Sequence, residues 1–218
     1  MKTYPTIQKL CKEIKVNDDI GARDLTAIEA DLKKLLEVLP VLDCDKYRVG
    51  LLKFVCLPSR YAYYRNSNTS IVITTKNKQE GLTAFIHEFG HLIDYKNGED
   101  GRKPYSKVSK DDRWHEVVKV FRKQHERHSE KDTELVFNDK KDQWVEREIW
   151  SSYDKYVRSS VEIFARGFEI YVTQKVGIKF IGKSKSKMRN NLLWYPSGKK
   201  SIETIINFYE EFFARCDK

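Results

Sequence analysis

"TAFIHEFGHLIDYKNG" (residues 83–98) holds two histidines four positions apart, with a glutamate directly after the first. Read as a helix, this stretch stacks His87 over His91, because residues four apart stand on one face with Cβ atoms roughly 5–6 Å apart. Two imidazoles so placed can converge on one cation. Zinc takes such nitrogens at about 2.0–2.1 Å, and a catalytic zinc needs a third protein ligand and an open position for water. Glu88, about 100° around the helix from His87, stands beside the metal, where it can take a proton from water that the ion has acidified. In a chain of 218 residues with only five histidines, this pattern arises by chance at about the one-in-a-hundred level. The competing structural reading is a core helix with hydrogen-bonded histidines, yet burying two stacked imidazoles without a shared partner is costly. Gly90, where helix propensity would favour alanine, leaves room for a close neighbour. The helix is expected to start near Gln79 or Glu80 and to end at Asn97 and Gly98, with the glycine left-handed.

Outward from this helix, "RDLTAIEADLKKLLEVLP" (23–40) sets Leu25, Ile28, Leu32, Leu35, Leu36 and Leu39 on one side and stops at Pro40, which predicts an amphipathic helix. "YRVGLLKFVCLP" (47–58) is a short apolar run, and "RYAYYRNSNTSIVITTK" (60–76) reads as two strands around a polar turn at Arg65 to Asn68. These are expected to be neighbours in a small sheet, which with the helices predicts an α+β fold. From Asp111 to Trp150 charge dominates. Val117, Val118 and Phe121, then Trp144, Val145 and Ile149, suggest two helices with a polar connection, a charged helical insertion at about 103–150 in a single domain spanning 1–218. "SSVEIFARGFEIYVTQKVG" (159–177) predicts a helix burying Val161, Phe164, Ala165, Phe168 and Val172, and "SIETIINFYEEFF" (201–213) an amphipathic closing helix.

The third ligand defines the site. The pattern H-E-x-x-H-x-x-G-x-x-H is not met by "HLIDYKNGEDG". His115, His125 and His128 fall in the charged insertion and are expected to be solvated. Glu162 is the better candidate, because it opens the apolar run "IFARGF" and so holds a carboxylate at the inner edge of a buried helix. A dication there would offset the cost of that burial. An i,i+4 ion pair between Glu162 and Arg166 is the alternative. Asp94, three residues past His91, could accept an N–H from a ligating imidazole, or simply face solvent at the helix end.

"FIHEFGHLID" (85–94), followed at a distance by "SSVEIFARGFEIYV" (159–172), resembles the zincins of the anthrax lethal factor and Pro-Pro endopeptidase type. It is similar also to the zincin-like domains of large polyvalent proteins of phages and mobile elements. The resemblance covers roughly 60–98 and 150–175. It implies a gluzincin-type, zincin-like fold: a small twisted sheet packed on the active-site helix, ahead of a mostly helical C-terminal half. It further implies a zinc metallopeptidase with ligands His87, His91 and Glu162, and Glu88 as general base. A tyrosine that donates to the oxyanion would be Tyr156, six residues before Glu162 and one fewer than the family interval, with Tyr153 in reserve. The strand "SIVITTK" (70–76) would form the sheet edge, where an extended peptide substrate adds as a further strand.

Composition sets bounds without naming a function. The chain is 40% hydrophobic and 12% aromatic, which marks a globular protein, and no run approaches the roughly 20 apolar residues of a membrane span. No secretion signal opens it, so a cytoplasmic monomer, or a chain exported without a classical signal peptide, is expected. Four cysteines without a C-x-x-C pair read as reduced thiols. The net charge of +9 and the basic loop "KSKSKMR" (183–189) allow weak nucleic-acid contact. Two other functions stay open: a catalytically silent or nucleic-acid-associated accessory protein of a mobile element, and a zinc hydrolase of a non-peptide amide.

Overall fold

The central sheet has strand order β1-β2-β4-β3, with β1 (Cys11–Lys15), β2 (Val49–Val55) and β4 (Ser70–Thr74) parallel and β3 (Tyr63–Arg65) antiparallel to β4. These coordinates are a computed structural model describing residues 4–16, 22–55, 62–74, 78–129, 131–138, 143–177 and 194–216; the basic loop 183–189 lies outside them. In β4, Ile71, Val72 and Ile73 are all buried, the signature of a strand covered on both faces. The expected edge position of 70–76 is therefore corrected. β4 is interior, paired Leu52 to Ile71 and Phe54 to Ile73, and β3 is the edge. The two strands meet through a 3-10 turn at Asn66–Asn68, with Thr69 left-handed at φ 50°. β1, preceded by α1 (Pro5–Leu10), is an element the sequence pattern did not reveal.

α2 (Ala22–Val38) ends before Pro40 as its periodicity predicts, burying Ile28, Leu32 and Leu35. α3 (Lys78–Lys96) carries the histidine motif and packs against β4 and, most extensively, against α7 (Ser160–Lys175). Past α3, Gly98 does not take positive φ. Its need is spatial, since a Cβ there would meet the Lys103 carbonyl oxygen at 1.9 Å. α4 (Tyr105–Val108) and α5 (Asp112–Glu126) follow, α5 capped by the Asp111 side chain and burying Trp114, Val117, Val118 and Phe121.

The second half of the charged segment is a hairpin instead of a helix: β5 (Asp132–Asn138) pairs with β6 (Gln143–Ile149). The physical reason is period-2 alternation. Leu135 and Phe137 stand on one face and Val136 on the other, while the aromatic and β-branched residues of "WVEREI" suit a pleat. α6 (Ser152–Val157) leads into α7, whose residues Glu162 to Thr173 are all buried. α8 (Lys199–Cys216) covers α7 with Phe208, Tyr209, Phe212 and Phe213. The result is α+β, mostly helical around a small mixed sheet.

Candidate metal centre

α3 and α7 pack closely at two small residues, Gly90 and Ala165. A Cβ built on Gly90 would lie 2.9 Å from the Ala165 Cα, so only glycine permits this approach, and Ala165 is the close neighbour that Gly90 implied. His87 stands about one turn before Gly90 and His91 directly after it on α3, and Glu162 about one turn before Ala165 on α7. His87 Nε2 is 3.2 Å from Glu162 Oε2 and His91 Nε2 is 3.4 Å from Glu162 Oε1. The two rings lie edge to face, with centroids 4.8 Å apart. This is the one His/Cys/Asp/Glu group among the described residues whose geometry could hold a metal ion.

Local sequence explains why Glu162 points here. "SSVE" (159–162) is a capping-box pattern, and the Ser159 Oγ indeed accepts the Glu162 N–H. The glutamate of such a box ordinarily reaches back to the cap's own N–H. Here its carboxylate turns to the imidazoles, near the positive end of the α7 dipole. Arg166 does not form the alternative ion pair with that carboxylate. Its buried guanidinium donates to the backbone carbonyls of Glu162 (3.0 Å), Trp194 (3.4 Å) and Val157, and so locks α6, α7 and the segment before α8 together.

Burial tests whether the donors fit a metal. The Glu162 carboxylate is buried facing the two imidazoles, with no well-aligned hydrogen bond to its Oε2 among the described residues, an expensive condition for a carboxylate oxygen. One ligand atom from each of the three residues lies within 4.8 Å of the others, close enough for all three to reach a single cation with bonds of roughly 2.0–2.1 Å after small side-chain adjustments. Two imidazoles and a carboxylate are also a zinc donor set. The residues fit.

The surrounding charges are strongly coupled. Burial works against protonation of His87, but Glu162 and Glu169 outweigh it and raise the imidazole to about 10. Burial would lift Glu162, yet the two imidazoles hold it well below the carboxylate range. Burial raises Glu88; the histidines and the Tyr64 backbone N–H oppose this without cancelling it. Glu88 is buried beside the pair, and β3 runs past its carboxylate.

Of the two tyrosines considered, Tyr156 approaches the centre: partial burial and then the Glu162 charge raise its phenol, with a smaller push from Glu88. It is half exposed, at the rim. Tyr153 instead meets Trp194 edge to face, with centroids 5.4 Å apart. Asp94 neither faces solvent nor reaches His91. Both its oxygens accept from Ser106, N–H and hydroxyl each at 2.7 Å, while the Ser106 carbonyl accepts the Trp114 indole N–H, so Asp94 ties α3 to α4 and α5. His115 and His128 are exposed as expected. His125 is not: it is buried, 2.9 Å from Asp154 and packed on Trp150. Burial dominates its lowered pKa.

Glu169 is the residue that sequence reasoning missed. It is fully buried on α7, its Oε1 3.7 Å from His87 Nδ1 and its Oε2 accepting the Tyr195 hydroxyl. The available signal was its spacing, because seven residues from Glu162 is two helical turns and hence the same face. Tyr195 carried no local signal at all.

Comparison with protein-family models, curated proteins and solved structures gave no match.

Proposed function

We propose that the chain is a zinc-dependent endopeptidase of the zincin type, with His87, His91 and Glu162 as the residues that would hold the ion. The carrying observation is the buried convergence of these three side chains from two helices within reach of one cation. Bound zinc would supply Lewis-acid chemistry, polarising a carbonyl and acidifying water.

The remaining work falls to the chain itself. Glu88, with its pKa raised chiefly by burial, suits a general base that takes a proton from the attacking water and returns it to the departing amine. The Tyr156 hydroxyl, half exposed at the rim and kept protonated by its raised pKa, can donate to the developing oxyanion. A polypeptide substrate is supported by β3, a sheet edge that runs past Glu88, since an extended chain can follow such an edge.

Metal analysis and cleavage of a peptide library test this reading together. The parent should carry one zinc per chain, Glu162→Ala and His87→Ala none, and Glu88→Gln should keep zinc while losing turnover. A parent that fails to bind added zinc, or a Glu88→Gln variant that cleaves as fast as the parent, would refute it.

A further inference from the structure

The two ring nitrogens of His87 face two different carboxylates of α7. Nε2 is 3.2 Å from Glu162 Oε2 and Nδ1 is 3.7 Å from Glu169 Oε1. Those glutamates stand two helical turns apart, about 10 Å along the axis at roughly 1.5 Å per residue, so the imidazole is suspended between them. Against the cost of burial, both hold His87 protonated when no metal is bound, and an ion can bind only the nitrogen that gives its proton up. Nε2 has to be that nitrogen, because it shares the Glu162 carboxylate with His91 Nε2. The other proton must then stay on Nδ1, facing Glu169.

Keeping it there requires that Glu169 hold still. The Glu169 side chain is fully buried, and its 3.7 Å separation from Nδ1 is an ion-pair contact, too long to fix a carboxylate as a hydrogen bond would. Tyr195 supplies a hydrogen bond at the other oxygen, its hydroxyl donating to Oε2. This phenol is buried, and burial, then the Glu169 charge, raises its pKa well above the ordinary value, so it remains the donor. The preceding residue anchors it. Arg166, one turn before Glu169, donates to the Trp194 carbonyl at 3.4 Å and lies 5.3 Å from the Trp194 ring centroid. Trp194 and Tyr195 thus grip successive turns of α7.

We infer that Tyr195 is a positioning residue of the metal centre: its hydroxyl holds the Glu169 carboxylate by one oxygen, so that the other keeps a proton on His87 Nδ1 and leaves Nε2 to the ion. On the reading proposed above, in which His87 is a ligand, the centre therefore extends into the segment ahead of α8, beyond the histidine motif and the run around Glu162. Partners behind a ligating imidazole set its orientation and tautomer, and a carboxylate that swings away from Nδ1 no longer does so. A second buried tyrosine provides the contrast. Tyr209 packs on the same helix, but its hydroxyl donates to the Phe164 backbone carbonyl and so ties α8 to α7 through the main chain.

The test compares Tyr195→Phe with Tyr209→Phe in the full chain. Each deletes one buried hydroxyl beside α7 and keeps the ring, so both should fold and melt somewhat lower than the parent. Zinc affinity, measured by competition with a chelating dye, should fall about tenfold or more in Tyr195→Phe and stay at the parent's value in Tyr209→Phe. Because Tyr195 acts through Glu169, Tyr195→Phe/Glu169→Gln should bind zinc no more weakly than Glu169→Gln alone, the non-additivity of two groups in one network. In the metal-free chain with isotopically labelled histidine, magnetic resonance should show a slowly exchanging proton on His87 Nδ1 that Tyr195→Phe loses to exchange with water. Unchanged zinc affinity in Tyr195→Phe, an equal loss in Tyr209→Phe, or single effects that multiply in the double variant overturns the inference. Retention of the Nδ1 proton in Tyr195→Phe overturns it with or without zinc. A parent that takes up no zinc sinks the peptidase reading by itself, and the Nδ1 proton of the metal-free chain then decides the role of Tyr195.

Discussion

Replacing Gly90 by alanine is the sharpest test of how the centre is built, because one methyl group enters the crossing of the two helices that carry it. The added Cβ would stand 2.9 Å from the Ala165 Cα and 3.4 Å from its Cβ and carbonyl oxygen, against an ordinary carbon contact of about 3.5–4.0 Å. α3 and α7 must therefore part by roughly 0.6 Å or more at this point. Overpacking of this kind costs about 1–3 kcal/mol, and alanine's better helix propensity returns about 1 kcal/mol. A net loss of about 1 kcal/mol lowers the melting temperature of a chain this size by about 2–4 °C. The effect on zinc should be larger than the effect on folding. His87 and His91 flank Gly90, Glu162 lies one turn from Ala165, and metal sites tolerate displacements of only about 0.2 Å. Zinc affinity, measured by competition with a chelating dye, is expected to fall at least tenfold. It should not recover in Gly90→Ala/Ala165→Gly, because the 2.9 Å contact is with the backbone Cα of residue 165 and outlasts its side chain, while Ala165→Gly alone keeps zinc and loses only stability. If Gly90→Ala melts no lower and binds zinc as tightly as the parent, the close crossing does not set the ligand geometry.

Glu169→Gln should weaken zinc binding by about 10- to 100-fold, the usual effect of removing a carboxylate behind a ligating histidine. An unchanged dissociation constant would show that Glu169 serves packing alone. A second expectation concerns pH. His87 in the metal-free protein has its pKa raised from 6.5 to about 10, so the stabilisation from its protonated form is complete below about pH 6.5 and drains away as pH rises through about 10. The melting temperature of the chelator-treated parent, relative to His87→Gln, should fall steadily from pH 6.5 to 9, while zinc affinity rises because the bound proton must leave. A flat difference across that window contradicts the assignment.

Those parts of the molecule legible in the sequence are the ones with a local cause. His87, Glu88 and His91 follow from helical spacing, and α2 ends before Pro40 because the ring stops it. β2, β3 and β4 announce themselves as apolar or aromatic runs around a polar turn. What stayed hidden is decided by partners distant in the chain. β4 became interior because β2 pairs along its other side. Asp94 was claimed by Ser106, in a segment of no evident pattern. The hairpin was masked because Trp144, Val145 and Ile149 fit a helix nearly as well as a strand when the alternation of 132–138 is ignored.

Charge balance gives the centre its logic. Glu88, Glu162 and Glu169 are all buried near one point, and carboxylates there are costly unless cations answer them. Arg166, buried on the turn after Glu162, supplies one fixed positive charge, yet its hydrogen bonds go to backbone carbonyls and leave the Glu162 carboxylate to the imidazoles. In the metal-free chain the second charge is a proton on His87, held by Glu162 and Glu169 together. A divalent ion would take that proton's place with one further unit of charge, and three carboxylates would then face three positive charges, from the ion and Arg166. Glu169 belongs to the same balance: its charge favours the proton in the empty site and would favour the metal in the filled one. A neutral glutamine at that position should therefore weaken both, and so lower the His87 pKa as well as the zinc affinity.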